Sequence, residues 1–351
     1  MGQPIFKGNK MKKQIIKKVI AWASLVTLVL YSVIAVVPRG DNYKGNNILI
    51  RKDGELPMLI AHGGGNEEFP DNTLEAFYNA YSVDKNVMME TDVNLTKDGV
   101  LILSHDTRLD RKTNVTGLIE DWNYSDLIAQ RVNFGYDNDT EKTVLVGERA
   151  IYTNADGVAV TPLDVTYPEG VTPRDDEIYY ATKFEELLTA FPENIISVEI
   201  KQKGKIGIEA LDELVRILKK HDAFDRVIIA TFHGNVYRTV KKYQRNGTVP
   251  ENVMYSPSLF SAARYTLEYY SGLDIFYRDG LAVFQFPTEA VGVVYTKPSF
   301  IKNMHERNVA VQFWTIDDED EMRSLIELGA DGIMTNYPTK LKAVLDEYRE
   351  K

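Results

Sequence analysis

The chain has 351 residues, 44% of them hydrophobic, and no cysteine, which is enough for one large core and excludes disulfides and thiolate metal sites. Its formal net charge is −10. Residues 1–40 hold seven of the 41 basic residues and no acid, so 34 basic residues face 51 acidic ones in the remainder, a net −17 that excludes nucleic-acid binding through a general basic surface.

The N-terminus reads as a membrane anchor. Residues 1–18 form a basic cytoplasmic segment with Lys7, Lys10, Lys12, Lys13, Lys17 and Lys18. Val19 to Val37 is apolar apart from Ser24, Thr27 and Ser32, close to the roughly 20 residues that a spanning helix needs. The lysines would stay inside, so a single-pass cell-membrane protein with the bulk of the chain extracellular is expected. A cleaved signal peptide is the rival reading, but no clear small-x-small site follows the apolar run. Residues 38–56 read as a linker and 57–351 as the main domain.

Pro57 to Ala61 reads as a buried strand that runs into His62-Gly63-Gly64-Gly65. Asn72 or Thr73 can cap a helix whose apolar face carries Leu74, Phe77 and Tyr81. The stretch Glu90-Thr-Asp92-Val-Asn94 alternates as a strand, with Glu90, Asp92 and Asn94 on one face. Asp98-Gly99 signals a hairpin that delivers His105 at the end of a second short strand. The plain alternative for this acidic face is a solvated edge strand.

Strand and helix patterns then alternate from Ile195 to Tyr348, about eight strands in all from Leu59. The fold class is therefore α/β, a (β/α)8 TIM barrel, with an open doubly wound sheet as runner-up. Residues 107–180 interrupt it. Short strands at 143–146, 150–152 and 158–161 mark a β-rich insertion, either a tolerated surface excursion or a substrate-selecting cover over the barrel mouth.

In such a barrel the active site lies at the C-terminal strand ends. His62, Glu90, Asp92, Glu199, Lys201 and Trp314 fall at or near such ends. Three carboxylates without a thiolate suit one hard divalent cation, Mg2+ or Ca2+. Each residue has a plainer reading: Glu199–Lys201 as a structural ion pair, Trp314 as core, His62 as a hydrogen-bonded loop residue. His221 and His305 read as helix surface. His233 faces the mouth without an assigned role.

The ordered series resembles the glycerophosphodiester phosphodiesterases. It comprises Ala61-His62-Gly63-Gly64, Pro70-Asp71-Asn72-Thr73, Glu90-Thr-Asp92-Val93, Asp98-Gly99, His105-Asp106, Glu199-Ile-Lys201, Trp314-Thr315, Asp331-Gly332 and Thr335-Asn336-Tyr-Pro338. The resemblance implies a metal-dependent phosphodiesterase in which Glu90, Asp92 and Glu199 hold the metal. It makes His62 and His105 the general acid–base pair and Lys201 a phosphate contact, with Trp314 and Gly63 at the substrate. A substrate hydroxyl attacks phosphorus in that family and displaces the other alcohol. Lipid head groups or glycerol-phosphate polymers are the expected substrates. A silent metal-containing scaffold, or a phospholipase or lyase on the same barrel, are the alternatives.

The chain departs from the family pattern in three places. Gly63 stands where the family has arginine, so a phosphate anchor is missing unless Lys201 or the insertion supplies one. Asp71 replaces a glutamate and Asn336 an aspartate, neither expected to touch the proposed ligands or acid–base pair.

Overall fold

The computed structural model describes residues 5–138, 142–146 and 149–349, and their side chains except those of 5–11, 30, 33–36, 144–146 and 149–150. Two units are distinguished, Met1–Gly40 with Ala263–Asp279, and Asp41–Ala262 with Gly280–Lys351.

The first unit contains α1 (Ile5–Val36). Arg39 Nε donates to Asp274 Oδ2 at 2.7 Å, and Tyr265 meets Tyr277 edge-on at 4.9 Å. The expected membrane span at 19–37 is not supported. Among the described residues no helix is long and apolar enough to cross a membrane. Lys12, Lys13, Lys17 and Lys18 lie in the first half of α1, ahead of the apolar run that opens at Val19. Residues 30 and 33–36 of the expected span have side chains outside those described.

In the second unit, β1 (Met58–Ala61) leads through a tight turn to α2 (Leu74–Val83). Then come β2 (Met88–Leu95) and β3 (Leu101–Leu103), an antiparallel hairpin with Val93 opposite Leu103. A short helix α3 (Tyr124–Ala129), unseen in the sequence, precedes β4 (Thr143–Val146), β5 (Arg149–Thr153) and β6 (Ala159–Val160). These three strands form an antiparallel sheet.

After α4 (Phe184–Ala190) the alternation is regular: β7 (Ile196–Ile200), α5 (Gly204–Lys220), β8 (Val227–Ala230), α6 (Gly234–Arg245), β9 (Met254–Tyr255) and α7 (Leu259–Tyr270). It continues through β10 (Val283–Phe286), a two-stranded hairpin β11 (Glu289–Ala290) and β12 (Val293–Val294), α8 (Pro298–His305), β13 (Ala310–Phe313), α9 (Glu319–Leu328), β14 (Gly332–Thr335) and α10 (Pro338–Arg349).

The parallel order β10-β13-β14-β1-β2-β7-β8-β9 is that of a TIM-like barrel of eight strands. Its ends meet where Ala282 N–H donates to Tyr255 O at 3.1 Å. Ile60, Met88, Ile228, Met254, Val283 and Met334 fill the interior. Residues 41–50, expected as linker, carry Tyr43 and Leu49 into this core, which is why the segment belongs to the barrel unit.

The turn after β1 aims His62. Gly64 has φ +88° there, and a Cβ on it would lie 2.8 Å from the Cβ of Ala76 and 3.1 Å from its backbone carbon. The loop can therefore press onto α2 only with glycine at this position. Gly64→Ala should destabilise the chain by more than about 1 kcal/mol in urea denaturation. A midpoint equal to wild type would show that the turn is not held this way.

Candidate active site

Strand β2 is buried along its whole length, between β1 and β7, and is not an edge. Its parallel register with β7 sets Asp92 beside Glu199 and Glu90 beside Ser197. Glu90 and Asp92 are 7% and 3% exposed. Lys201, two residues after Glu199, puts its ammonium 3.1 Å from Asp92 Oδ1 and 3.3 Å from Glu199 Oε2.

One cavity of about 270 Å3 gathers His62, Glu90, Asp92, His105, Glu199, Lys201 and Trp314. The rest of its lining combines apolar Ala230, Phe232, Pro257 and Met334 with polar Ser197, Thr231, Ser256 and Gln285. Phe232 and Trp314 have ring centroids 6.4 Å apart. All the expected site residues except Gly63 therefore share a single cavity. Gly63 lines an adjoining one with His62, His105 and Asp92, and its buried N–H donates to Glu90 Oε2 at 3.0 Å.

The two histidines are held differently. His62 Nδ1 lies 2.7 Å from Asn336 Oδ1. Asn336 Nδ2 donates to Asp317 Oδ2 at 2.8 Å, so its Oδ1 is the acceptor and His62 carries its proton on Nδ1. That leaves Nε2 directed to Glu90, 4.0 Å from Oε2. Burial works against a charged His62. The charge of Glu90, the Asn336 hydrogen bond, and then Asp92 and Asp71 nevertheless hold its pKa above the ordinary value.

His105 bonds through Nδ1 to Asp106 Oδ1 at 2.8 Å. Its loop is pinned by Asn94, whose Nδ2 donates to Ser104 O at 2.7 Å and Asp106 O at 3.0 Å. The Asp106 hydrogen bond is the main reason the pKa of His105 is raised, against the effect of burial.

Asn336 thus contacts His62, contrary to expectation. Asp71 is also part of the site. Asn72 Nδ2 donates to Asp71 Oδ2 and to Asp92 Oδ2, both at 3.1 Å, while its Oδ1 accepts from Thr91 Oγ1 and the Asp92 N–H. Asn72 sits at φ +60°, and Thr73 is the cap of α2. Lys112 forms a close ion pair with Asp71. Burial would raise the pKa of Asp71, but Lys112 holds it well below the carboxylate range. The Asn72 bridge and the Asp106 brace were not foreseen. His233 Nε2 donates to Lys201 O at 2.8 Å and so steadies the lysine backbone. His221 pairs with Glu185 and His305 with Asp331, both away from the cavity.

The donor chemistry fits a hard divalent cation. Three carboxylates face one lysine, and burial, then the charge of Asp92, pushes the Glu90 carboxyl well above the carboxylate range. Such an acid is short of positive charge. The side-chain positions are not those of a formed metal centre: among the described residues no three His, Cys, Asp or Glu side chains could together hold an ion. The Lys201 ammonium lies between two of the three acids.

A barrel with two imidazoles over an acidic pocket is suited to acid–base chemistry on a phosphoric diester, and the chain is a phosphoric diester hydrolase. The family model described as "Glycerophosphoryl diester phosphodiesterase family" matches residues 62–340. The chain belongs to that family, and its activity is that of a glycerophosphodiester phosphodiesterase. A lysophospholipase D of Rattus norvegicus is 26% identical over 322 residues, covering 84% of this chain and 88% of the relative. A glycerophosphodiester phosphodiesterase of Caldanaerobacter subterraneus is 27% identical over 290 residues, covering 81% and 96%. Among solved structures, a glycerophosphoryl diester phosphodiesterase domain from Mycobacterium tuberculosis superposes with TM-score 0.60 at 15% identity, covering 82% of this chain and 99% of that one. A phosphodiesterase from Oleispira antarctica, solved with the product sn-glycerol-3-phosphate, gives 0.56 at 18% identity, covering 83% and 97%. Members of the family typically use a divalent cation.

Because Asp106 is the chief support of the charged His105 ring, Asp106→Asn should move the NMR titration midpoint of His105 down, towards about 6.5. The stabilising contribution of the pair is present below that ordinary value and is lost as pH rises through the raised one. An unchanged midpoint would contradict the assignment.

Proposed function

We propose that the chain hydrolyses lipid-derived glycerophosphodiesters to glycerol phosphate and an alcohol, with His62 and His105 exchanging the protons. The observation that carries this reading is that both imidazoles, each with Nδ1 occupied by a fixed partner, border the same acid-lined cavity. Nε2 of each ring is the atom left to handle protons. Imidazole gives and takes protons close to neutrality, and both rings here are held above its ordinary pKa. A substrate hydroxyl attacks phosphorus, one ring takes its proton, and the other protonates the departing alkoxide. Water then opens the cyclic ester to glycerol phosphate.

Glu90, Asp92 and Glu199 are the residues proposed to hold a divalent cation, Ca2+ or Mg2+. When bound, the ion polarises the phosphoryl oxygens and offsets the charge developing on them. Lys201 neutralises Asp92 and Glu199 and contacts the phosphate. The apolar wall takes the alcohol half, with Trp314 and Phe232 as its aromatic surface. Phe232 and Val291, on the connections after β8 and β10, and Leu259 and Phe260, in the first turn of α7 after β9, are exposed. This favours substrates with an acyl chain on the glycerol half, from which the same steps release acylglycerol phosphate and the head-group alcohol, in line with the lysophospholipase D relatives. A lyase reading differs only in stopping at the cyclic ester.

The location proposed is a cell membrane, with residues 1–18 cytoplasmic and the barrel outside. The lysine run supports it, as do Val19, Ile20, Trp22 and Leu28 of α1, all exposed. The chain should then stay with membranes through alkaline carbonate extraction. Release into the supernatant would contradict this.

His62→Ala and His105→Ala should each lower kcat on glycerophosphocholine or lysophosphatidylcholine by about 10^2- to 10^4-fold. Chelation should abolish turnover, and Mg2+ or Ca2+ should restore it. Activity that survives both substitutions, or is indifferent to chelator, would sink the mechanism. Accumulation of cyclic glycerol phosphate as the end product would select the lyase reading.

A further inference from the structure

The phosphodiesterase reading needs a cation for the phosphate, and position 63 does not provide one. Gly63 has φ +56°, its N–H is committed to Glu90, and a Cβ there would lie 2.9 Å from the Cβ of Asp71. Lys201 is drawn to Asp92 and Glu199 on the inner side of the cavity. On the other side of the wall formed by His62, Asp92 and His105 lies a second cavity of about 390 Å3, and Arg111 borders it.

We infer that Arg111, delivered by the first turn of the insertion, is the phosphate-binding arginine of this site. The inference rests on the phosphodiesterase reading and adds to it the residue that grips the anion. Arg111 Nε donates to Asp106 Oδ2 at 2.6 Å, and its Nη1 lies 3.8 Å from Asp137 Oδ1. Among the described residues its guanidinium makes no other side-chain hydrogen bond, which leaves Nη1 and Nη2 protons for a ligand. Its neighbour Lys112 is buried on Asp71. The adjacent basic pair therefore roots the insertion in the acids that surround the histidines. A guanidinium held at one edge by a carboxylate presents its remaining fork to two phosphate oxygens, a geometry an ammonium cannot match. The same Asp106 braces His105, so phosphate grip and imidazole orientation share one carboxylate.

The test uses the full chain and two readouts, steady-state kinetics on a glycerophosphodiester and calorimetric binding of sn-glycerol 3-phosphate. Arg111→Met should raise both KM and the Kd for glycerol phosphate by roughly 10- to 100-fold. Arg111→Lys, which keeps the charge and loses the fork, should fall between it and wild type. Arg108→Met, at an exposed neighbour that borders only the outer cleft, should stay within about twofold of wild type on both readouts. Should Arg111→Met melt far below wild type, Arg111→Lys carries the test alone. Unchanged glycerol phosphate affinity in a folded Arg111 variant, with only kcat reduced, would overturn the inference and leave Arg111 as a brace for His105. Wild-type chain that binds glycerol phosphate without turning over diester would fail the catalytic reading, yet the binding arm would still judge Arg111.

Discussion

The structure turns on negative charge held inside a barrel. Glu90, Asp92 and Glu199 come from two adjacent strands whose register brings Asp92 and Glu199 side by side. Removing three carboxylates from water is costly unless cations answer them. One answer is present in Lys201, whose charged state is favoured by Asp92 and Glu199 despite its burial. A second cation is still called for by Glu90, whose carboxyl is held neutral-leaning by burial and by Asp92. Glu90 and Asp92 also favour the protonated form of His62, and the Asp106 hydrogen bond, then the charge of Asp92, that of His105.

Around that core the chain has built two shells of different origin. The barrel contributes Asn72, Asn94 and Asn336, amides that fix direction without adding charge. The insertion contributes Arg111, on Asp106, and Lys112, buried on Asp71, which add positive charge beside the acids. It is also tied to the turn carrying His62, through Lys142 on Glu67 at 2.7 Å and the Tyr152 hydroxyl donating to Asn66 O at 2.6 Å. The insertion is therefore attached to the residues it flanks.

Much of this was legible in the residues. The recurrence of strand and helix patterns fits the barrel because each strand is a short apolar run with a polar residue at its mouth end. His62 and His105 were recognisable because each follows such a run directly. Three things were not legible. The alternation of Glu90, Asp92 and Asn94 looks like a half-exposed strand, since an acid-lined barrel interior and a solvent face share the same period. The contacts of Asn336 with His62 and of Asp71 with Asn72 join positions that only barrel closure or a left-handed turn brings together. The apolar N-terminal run reads as a span, which the described residues do not support.

The account stands or falls on where a divalent ion binds. Crystals of the full chain soaked with Mn2+ and glycerol phosphate should show an anomalous peak bounded by the carboxylates of Glu90, Asp92 and Glu199, with the phosphate between the two histidines. An ion bound elsewhere, with those three acids turned away from it, would contradict the account.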